Sequence, residues 1–391
     1  MTEEPGRTTR RFLTPPVHQV HQHLRAHMES LGMEVRFDAV GNLRGLWKPI
    51  DSTSDKRLIL GSHIDTVPDA GAFDGVLGVV LAIELVASAK ALRLPLALEV
   101  IAFSEEEGVR FGFPFIGSRA VAGRFDTSIL GHKDAAGISI RQAIVNFGLA
   151  RENLQGAVAD QHAIGFVEIH IEQGPVLEAE DLKVAAVSSI VGQTRLDLKF
   201  IGHANHAGTT PMHLRHDALA AAAEWITRVE AHALKTEGLV ATVGKLEAHP
   251  NAGNVIAGSA EFSLDIRHVH DTTRETAVDE LLREAGAIAQ RRDLKLEWTK
   301  KMDEPSVPMD ERLTAFMSDA IEAAGFSAKA MPSGAGHDAM IMAGCMPTAM
   351  LFLRSPSGLS HHPDEAVREE DVEAALRVAE KFLQRLAADI R

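Results

Sequence analysis

Apolar positions along this chain switch between two spacings. Residues 16–31 carry them at helical intervals, and Gly32 follows as a stop signal. From 33 to 47 the pattern becomes an alternation through Val35, Phe37, Val40, Leu43 and Leu46 around Gly41-Asn42, a strand–turn–strand signal. Helical spacing returns over 76–92, and 94–103 has the apolar run of a buried strand. A further helix begins at 115–122, a less regular helical region runs to about 160, and 165–190 holds strand runs.

The pattern changes again near Val191. Strand 194–201, helix 214–232, strands 239–249 and 255–267, helix 272–290 and strand 293–301 make a βαββαβ order, a self-contained split-βαβ unit. Helical spacing resumes after Val307, then comes an apolar strand at 348–353 and a closing helix at 369–388. The predicted fold is therefore α/β: a mixed sheet flanked by helices, formed by 1–190 and 305–391, interrupted by a ferredoxin-like insertion at 191–304. Neither internal repeats nor low-complexity tracts interrupt this order.

Composition narrows the function classes. The 391 residues suit two or three domains, and 45% hydrophobic with 24% charged residues is an ordinary globular balance. A formal net charge of −14 argues against nucleic acid and anionic membrane as partners. One cysteine, Cys345, precludes an intrachain disulfide, and its apolar neighbours predict that it packs as a small hydrophobe. Residues 1–11 are charged, without the apolar stretch of a secretory signal. The most apolar run, 76–89, is too short to span a bilayer and contains Glu84. A cytoplasmic protein is expected.

The candidate chemistry sits at strand ends. The run 57–62 leads into His63-Ile64-Asp65, 96–104 into Glu105-Glu106-Glu107, 166–169 into His170 and Glu172, and 348–353 by a short loop into His361-His362. Asp74 lies in a Gly-rich stretch just before the helix over 76–92. Taken singly, each has an ordinary explanation: a surface histidine, a helix cap at Asp74, a solvated acidic run. Ligands in open α/β sheets bind beyond the carboxyl ends of strands, and these residues coincide there. Three adjacent glutamates at a strand end also repel one another unless a cation is present. Two metals sharing a carboxylate need about three ligands each, plus a free carboxylate as base. His63, Asp74, Glu107, His170 and His361 fill that set, leaving Glu106 over. Glu105 and Glu106 remain interchangeable at this level, as do His361 and His362.

Several longer motifs carry a resemblance: Gly61-Ser62-His63-Ile64-Asp65, Glu105-Glu106-Glu107-Gly108-Val109-Arg110-Phe111, His170-Ile171-Glu172-Gln173-Gly174, Asn205-His206-Ala207-Gly208-Thr209-Thr210-Pro211 and Gly334-Ala335-Gly336-His337-Asp338. The chain resembles the dinuclear aminoacylase/carboxypeptidase-like amidohydrolases from about residue 10 to its end. It looks closest to the branch holding allantoate amidohydrolase, N-carbamoyl-L-amino acid hydrolase and β-ureidopropionase. The leading helix looks shorter than that branch's.

The resemblance implies a metallopeptidase-like catalytic domain interrupted by a lid and dimerisation domain, in a homodimer. It implies two divalent ions per subunit, Zn²⁺ or Mn²⁺ with Co²⁺ or Ni²⁺ as substitutes. His63 and His170 would hold one, Glu107 and His361 the other, and Asp74 would bridge. The Ser360-His361-His362-Pro363 order favours His361 by its likeness to the family's Ser-His-x-Pro pattern. Glu106 would be the general base, and Asp65 would orient His63. His206, from the neighbouring subunit, would stabilise the oxyanion. Arg267 would pair with a substrate carboxylate, with Gln193, Asn254 and Gly336 also contacting substrate. The implied reaction cleaves a terminal ureido group beside a carboxylate-bearing carbon, releasing ammonia and carbon dioxide. The implied substrate is allantoate, with an N-carbamoyl-L-amino acid or β-ureidopropionate as the alternative and a dipeptide or acyl-amino acid more remote.

Overall fold

A computed structural model of the chain describes residues 1–49, 55–149 and 151–390. It divides into two compact units, Met1–Ser188 with Pro308–Arg391, and Ser189–Val307.

The larger unit is built on one mixed sheet. Its strands run in the order Glu34–Phe37, Leu43–Trp47, Ala97–Phe103, Arg57–His63, Ala163–Ile171, Thr348–Leu353, Val184–Ile190. The four from Ala97–Phe103 to Thr348–Leu353 are mutually parallel, so their carboxyl ends share one edge. The register is tight there: His63 lies opposite Phe103, and Phe352 opposite His170. Helices Pro15–Ser30, Val76–Ala91, Glu311–Ala323 and Glu369–Ile390 share one apolar core with the sheet, through Val20, Val79, Met317 and Phe382. Val76–Ala91 is apolar on almost every side and packs tightly on the sheet at Gly78. A Cβ there would lie 2.0 Å from the Ile169 carbonyl oxygen. The antiparallel outer pair, Glu34–Phe37 with Leu43–Trp47, is the hairpin expected around Gly41-Asn42.

The smaller unit is an antiparallel sheet in the order Leu246–His249, Ser259–His268, Gly192–Ile201, Lys295–Glu304, backed by helices Ala218–Ala233 and Asp271–Arg291. Along Ser259–His268 the inward positions Ala260, Phe262, Leu264, Ile266 and His268 are buried and the others partly exposed. Trp225 fills the helix–sheet core, its indole N–H donating to the Leu281 carbonyl at 2.9 Å.

Three expected elements differ in extent. The helix expected from 214 starts at Ala218, because the Asp217 carboxylate accepts the Leu219 and Ala220 N–H groups as an N-cap. The strand over 239–249 is two, Val240–Thr242 and Leu246–His249, since the Ser263 hydroxyl accepts the Lys245 N–H in place of a ladder carbonyl. The strand over 255–267 splits into Val255–Ile256, paired with Asn205–His206, and Ser259–His268. Cys345 does not pack as a small hydrophobe. It is exposed in the turn after the short helix Asp338–Met342, its thiol donating to the Met342 carbonyl at 3.2 Å.

Candidate metal centre

The parallel strand ends bring histidines and carboxylates together at one edge. His63 closes Arg57–His63, His170 is the penultimate residue of Ala163–Ile171, and Glu105-Glu106-Glu107 follows Ala97–Phe103. Asp74 reaches the same place from the loop before Val76–Ala91. That loop passes His63 so closely that a Cβ on Gly75 would lie 2.5 Å from the imidazole, and Gly75 also has a φ of +66°. Only glycine meets both demands without strain.

Asp74 is the centre of the arrangement. Its Oδ1 lies 3.3 Å from His170 Nε2 and 3.8 Å from His63 Nε2. Its Oδ2 lies 3.3 Å from His361 Nε2, which is itself 3.5 Å from Glu107 Oε1. His63, Asp74 and His170 form one group with ligand atoms within 4.8 Å of one another; Asp74, Glu107 and His361 form another, and His63, Glu106 and Glu107 a third. The tautomers suit ligation. His63 Nδ1 lies 3.0 Å from the Asp65 carbonyl and His170 Nδ1 2.9 Å from the Ile171 carbonyl, positions for N–H donation that leave both Nε2 atoms bare.

A cation fits this set. Buried polar atoms are normally paired, yet Asp74 Oδ2 and His170 Nε2 are buried without a hydrogen bond. Without a cation, protons must hold the cluster together. Burial lowers the pKa of His63, but Asp65, Glu106 and Asp74 outweigh it and hold it well above the ordinary value. Burial, then Asp65 and Asp74, push Glu107 up to about 7 against the pull of His63 and His361. Glu106 is driven well above the carboxylate range by burial first, then by Glu107, Asp338 and Asp65, with His63 opposing. A divalent charge reverses this balance and favours the bare ligands.

The ambiguous positions separate in space. Glu106 lies within ligand distance of His63 and Glu107, whereas Glu105 is fully buried and belongs to none of these groups. His361 meets Asp74, whereas His362 is turned towards the Asp364 N–H. Glu172 does not face the cluster; its two oxygens accept the Val176 and Leu177 N–H groups and cap a short helix. Asp65 acts on the loop more directly than on the imidazole. Its carboxylate stands 3.6 Å from His63 Nδ1, but accepts the Glu106 and Glu107 N–H groups at 3.0 Å each. Gly336 packs on Phe115, and the next residue, His337, stands edge-on to His170 at 4.5 Å.

The other expected residues lie in the smaller unit, in two local clusters. Gln193 Nε2, Arg195 Nε and the Arg267 guanidinium all donate to the Asp265 carboxylate, at 2.7 to 3.0 Å. His206 is exposed, and its Nδ1 accepts the Gly208 N–H at 3.1 Å. The Asn254 carbonyl accepts the Ala207 N–H, which places Asn254 beside His206. Two polar residues of the larger unit had no assigned role from sequence. Gln173 donates to Asp74 Oδ1 at 3.2 Å, and Glu365 accepts the Asp74 N–H at 3.0 Å.

The profile of peptidase family M20/M25/M40 matches residues 59–385. The chain belongs to that family. A probable allantoate deiminase of Oryza sativa subsp. japonica is 38% identical to this M20 protein, over 98% of this chain and 85% of its own. An N-carbamoyl-L-amino-acid amidohydrolase of Paenarthrobacter aurescens is 36% identical, over 98% and 94%. A solved hydantoinase/carbamoylase-family amidase from Burkholderia multivorans superposes with a TM-score of 0.92 at 30% identity, over 98% of this chain and 94% of that one. The M20 family is metal-dependent, and the His, Asp and Glu clusters around Asp74 could hold a metal ion. Among the described residues, no helix is long and apolar enough to cross a membrane.

Proposed function

We propose that this M20 protein is a two-metal amidohydrolase that removes the terminal ureido group of allantoate. The observation that carries the two-ion count is the Asp74 carboxylate, which faces His63 and His170 with one oxygen and His361 with the other. His63, His170, Asp74, Glu107 and His361 would hold the pair. Bound there, two divalent ions supply Lewis acidity, polarising the ureido carbonyl and making water more acidic.

The protein's own groups do the rest. Glu106 takes a proton from the attacking water and passes it to the departing nitrogen. Asp65 keeps Glu106 in place through its backbone N–H. One ureido group and one water give an amine, carbon dioxide and ammonia. Arg267 fixes the substrate carboxylate by a charge-assisted fork, with Gln193, Asn254 and Gly336 as further contacts. His206 of a neighbouring subunit donates to the developing oxyanion, which makes a homodimer the active form.

The closely similar score of the N-carbamoyl-L-amino-acid amidohydrolase, 36% over 98% of the chain, favours a second substrate for the same machinery. Ammonia release from Mn²⁺-loaded protein decides between them, with allantoate, N-carbamoyl-L-amino acids and N-carbamoyl-β-alanine side by side. The proposal expects allantoate to lead in kcat/KM. A lead for a carbamoyl amino acid would transfer the residue roles to that substrate. Silence on all of them would refute the ureido chemistry.

A further inference from the structure

Asp74 and His361 come from loops 287 positions apart in the chain (361 minus 74), and nothing in either strand pattern dictates that they meet. A set of hydrogen bonds through three residues outside the ligand set, Glu365, Ser360 and Gln173, joins the two loops. Glu365 is buried, and its Oε1 accepts the N–H groups of both Phe73 and Asp74, each at 3.0 Å. Its Oε2 accepts the Ser360 hydroxyl at 3.0 Å. Ser360 in turn accepts from Gln173 Nε2 at 3.0 Å, and the same Nε2 lies 3.2 Å from Asp74 Oδ1. The circuit therefore runs from the Asp74 main chain through Glu365, Ser360 and Gln173 back to the Asp74 carboxylate.

The backbone around it is built for this closure. A Cβ on Gly71 would lie 2.2 Å from Glu365 Cβ, so the first loop packs directly on the glutamate. Gln173 and His361 both hold left-handed backbone, φ 58° and 55°, which costs a non-glycine residue about 1 kcal/mol or more. Such strain persists only where surrounding contacts over-determine it.

We infer that Glu365 is a positioning residue which, with Ser360 and Gln173, clasps the His361 loop to the Asp74 loop and so sets the metal affinity of the site that the two share. The inference rests on the metal-binding assignment proposed above. Glu365 itself touches no side-chain atom of the ligand set, so its effect passes through the placing of the Asp74 main chain and, by way of Ser360 and Gln173, of the Asp74 carboxylate and the His361 loop. Contacts of this outer kind typically change metal affinity about 10- to 100-fold when removed.

The test is calorimetric Mn²⁺ titration of the metal-free full chain, comparing wild type with Glu365→Ala, Glu365→Gln and Ser360→Ala, alongside melting of each metal-free protein. Gln keeps a carbonyl oxygen for the two N–H groups, and Ser360 can turn to accept from its amide. Glu365→Ala is expected to weaken the weaker Mn²⁺ event about tenfold or more, while Glu365→Gln stays within about threefold of wild type. Ser360→Ala is expected to lie between them, and it carries the test alone if Glu365→Ala does not fold. Wild-type Mn²⁺ affinity in Glu365→Ala, or in Ser360→Ala when that variant stands alone, overturns the clasp. So does a loss in Glu365→Ala that Glu365→Gln shares fully. Failure of wild type itself to bind Mn²⁺ would overturn the metal assignment and the clasp with it.

Discussion

At the residue scale, second contacts fix His63, His170, Asp74 and Glu106 in the cluster. Glu106 is aimed by the Asp65 carboxylate through its own N–H, so changing its side chain should leave the loop in place. Glu106→Gln is expected to lower turnover by about a hundredfold to ten-thousandfold while metal content by elemental analysis is unchanged. Arg267→Ala is expected to raise KM for carboxylate-bearing substrates and to leave metal binding alone, because its partner Asp265 lies in its own sheet. Acid dependence follows from the shifted groups. Glu107 and His63 hold protons more tightly in the folded, metal-free chain than in the unfolded one. The Glu107 contribution to metal-free stability should therefore be greatest at low pH and fall as pH rises from the ordinary carboxylate range through about 7, the His63 contribution falling at higher pH. Metal requires the same groups bare, so the rise in Tm on adding Mn²⁺ should grow over this range. Loss of the Glu107 proton alone is worth about a tenfold gain in affinity between about pH 6 and 8.

At the element scale, the packing of Val76–Ala91 on the sheet determines where Asp74 stands. The helix approaches Ala163–Ile171 through Gly78, whose missing Cβ leaves room for the Ile169 carbonyl. Gly78→Ala should push the helix off the strand that carries His170. It is expected to cost about 1–3 kcal/mol in urea unfolding of the metal-free protein, and to weaken metal binding as well. These elements were visible in the sequence, because a largely apolar run such as 97–103 reads as a buried strand, and every one of its residues is buried. The candidate ligands at their ends were visible for the same reason: His63 closes its strand, His170 is next to the end of its own, and Glu107 follows the strand Ala97–Phe103 by four residues. What stayed hidden depends on contacts that no local pattern records. The interruption at 243–245 follows from the Ser263 hydroxyl, eighteen residues away. Gln173 and Glu365 carry no periodic signal, since their partners come from distant loops. The exposure of Cys345 follows from its place in a helix-ending turn rather than from its apolar neighbours.

At the scale of the whole molecule, the residues proposed to hold metal lie in one compact unit, and Gln193, His206, Asn254 and Arg267, proposed to hold substrate and oxyanion, lie in the other. If His206 serves a partner subunit, two inactive proteins should repair each other. Mixing Glu106→Gln with His206→Ala under subunit exchange is expected to restore up to about a quarter of wild-type activity, since half the dimers are hybrids with one intact site each. Activity that stays absent after verified exchange would place His206 in its own subunit's chemistry. The sheet order has a consequence for synthesis. Thr348–Leu353 lies between Ala163–Ile171 and Val184–Ile190, so both neighbours leave the ribosome long before the strand that joins them. At roughly 5–20 residues per second, the nascent chain carries two open strand edges for about ten to forty seconds. Meanwhile the insertion, contiguous in sequence, has all its strands in hand and can close first. The unjoined edges are an invitation to pair with another chain. Ribosomes stalled after residue 340 should therefore bind a holdase chaperone that the released protein does not.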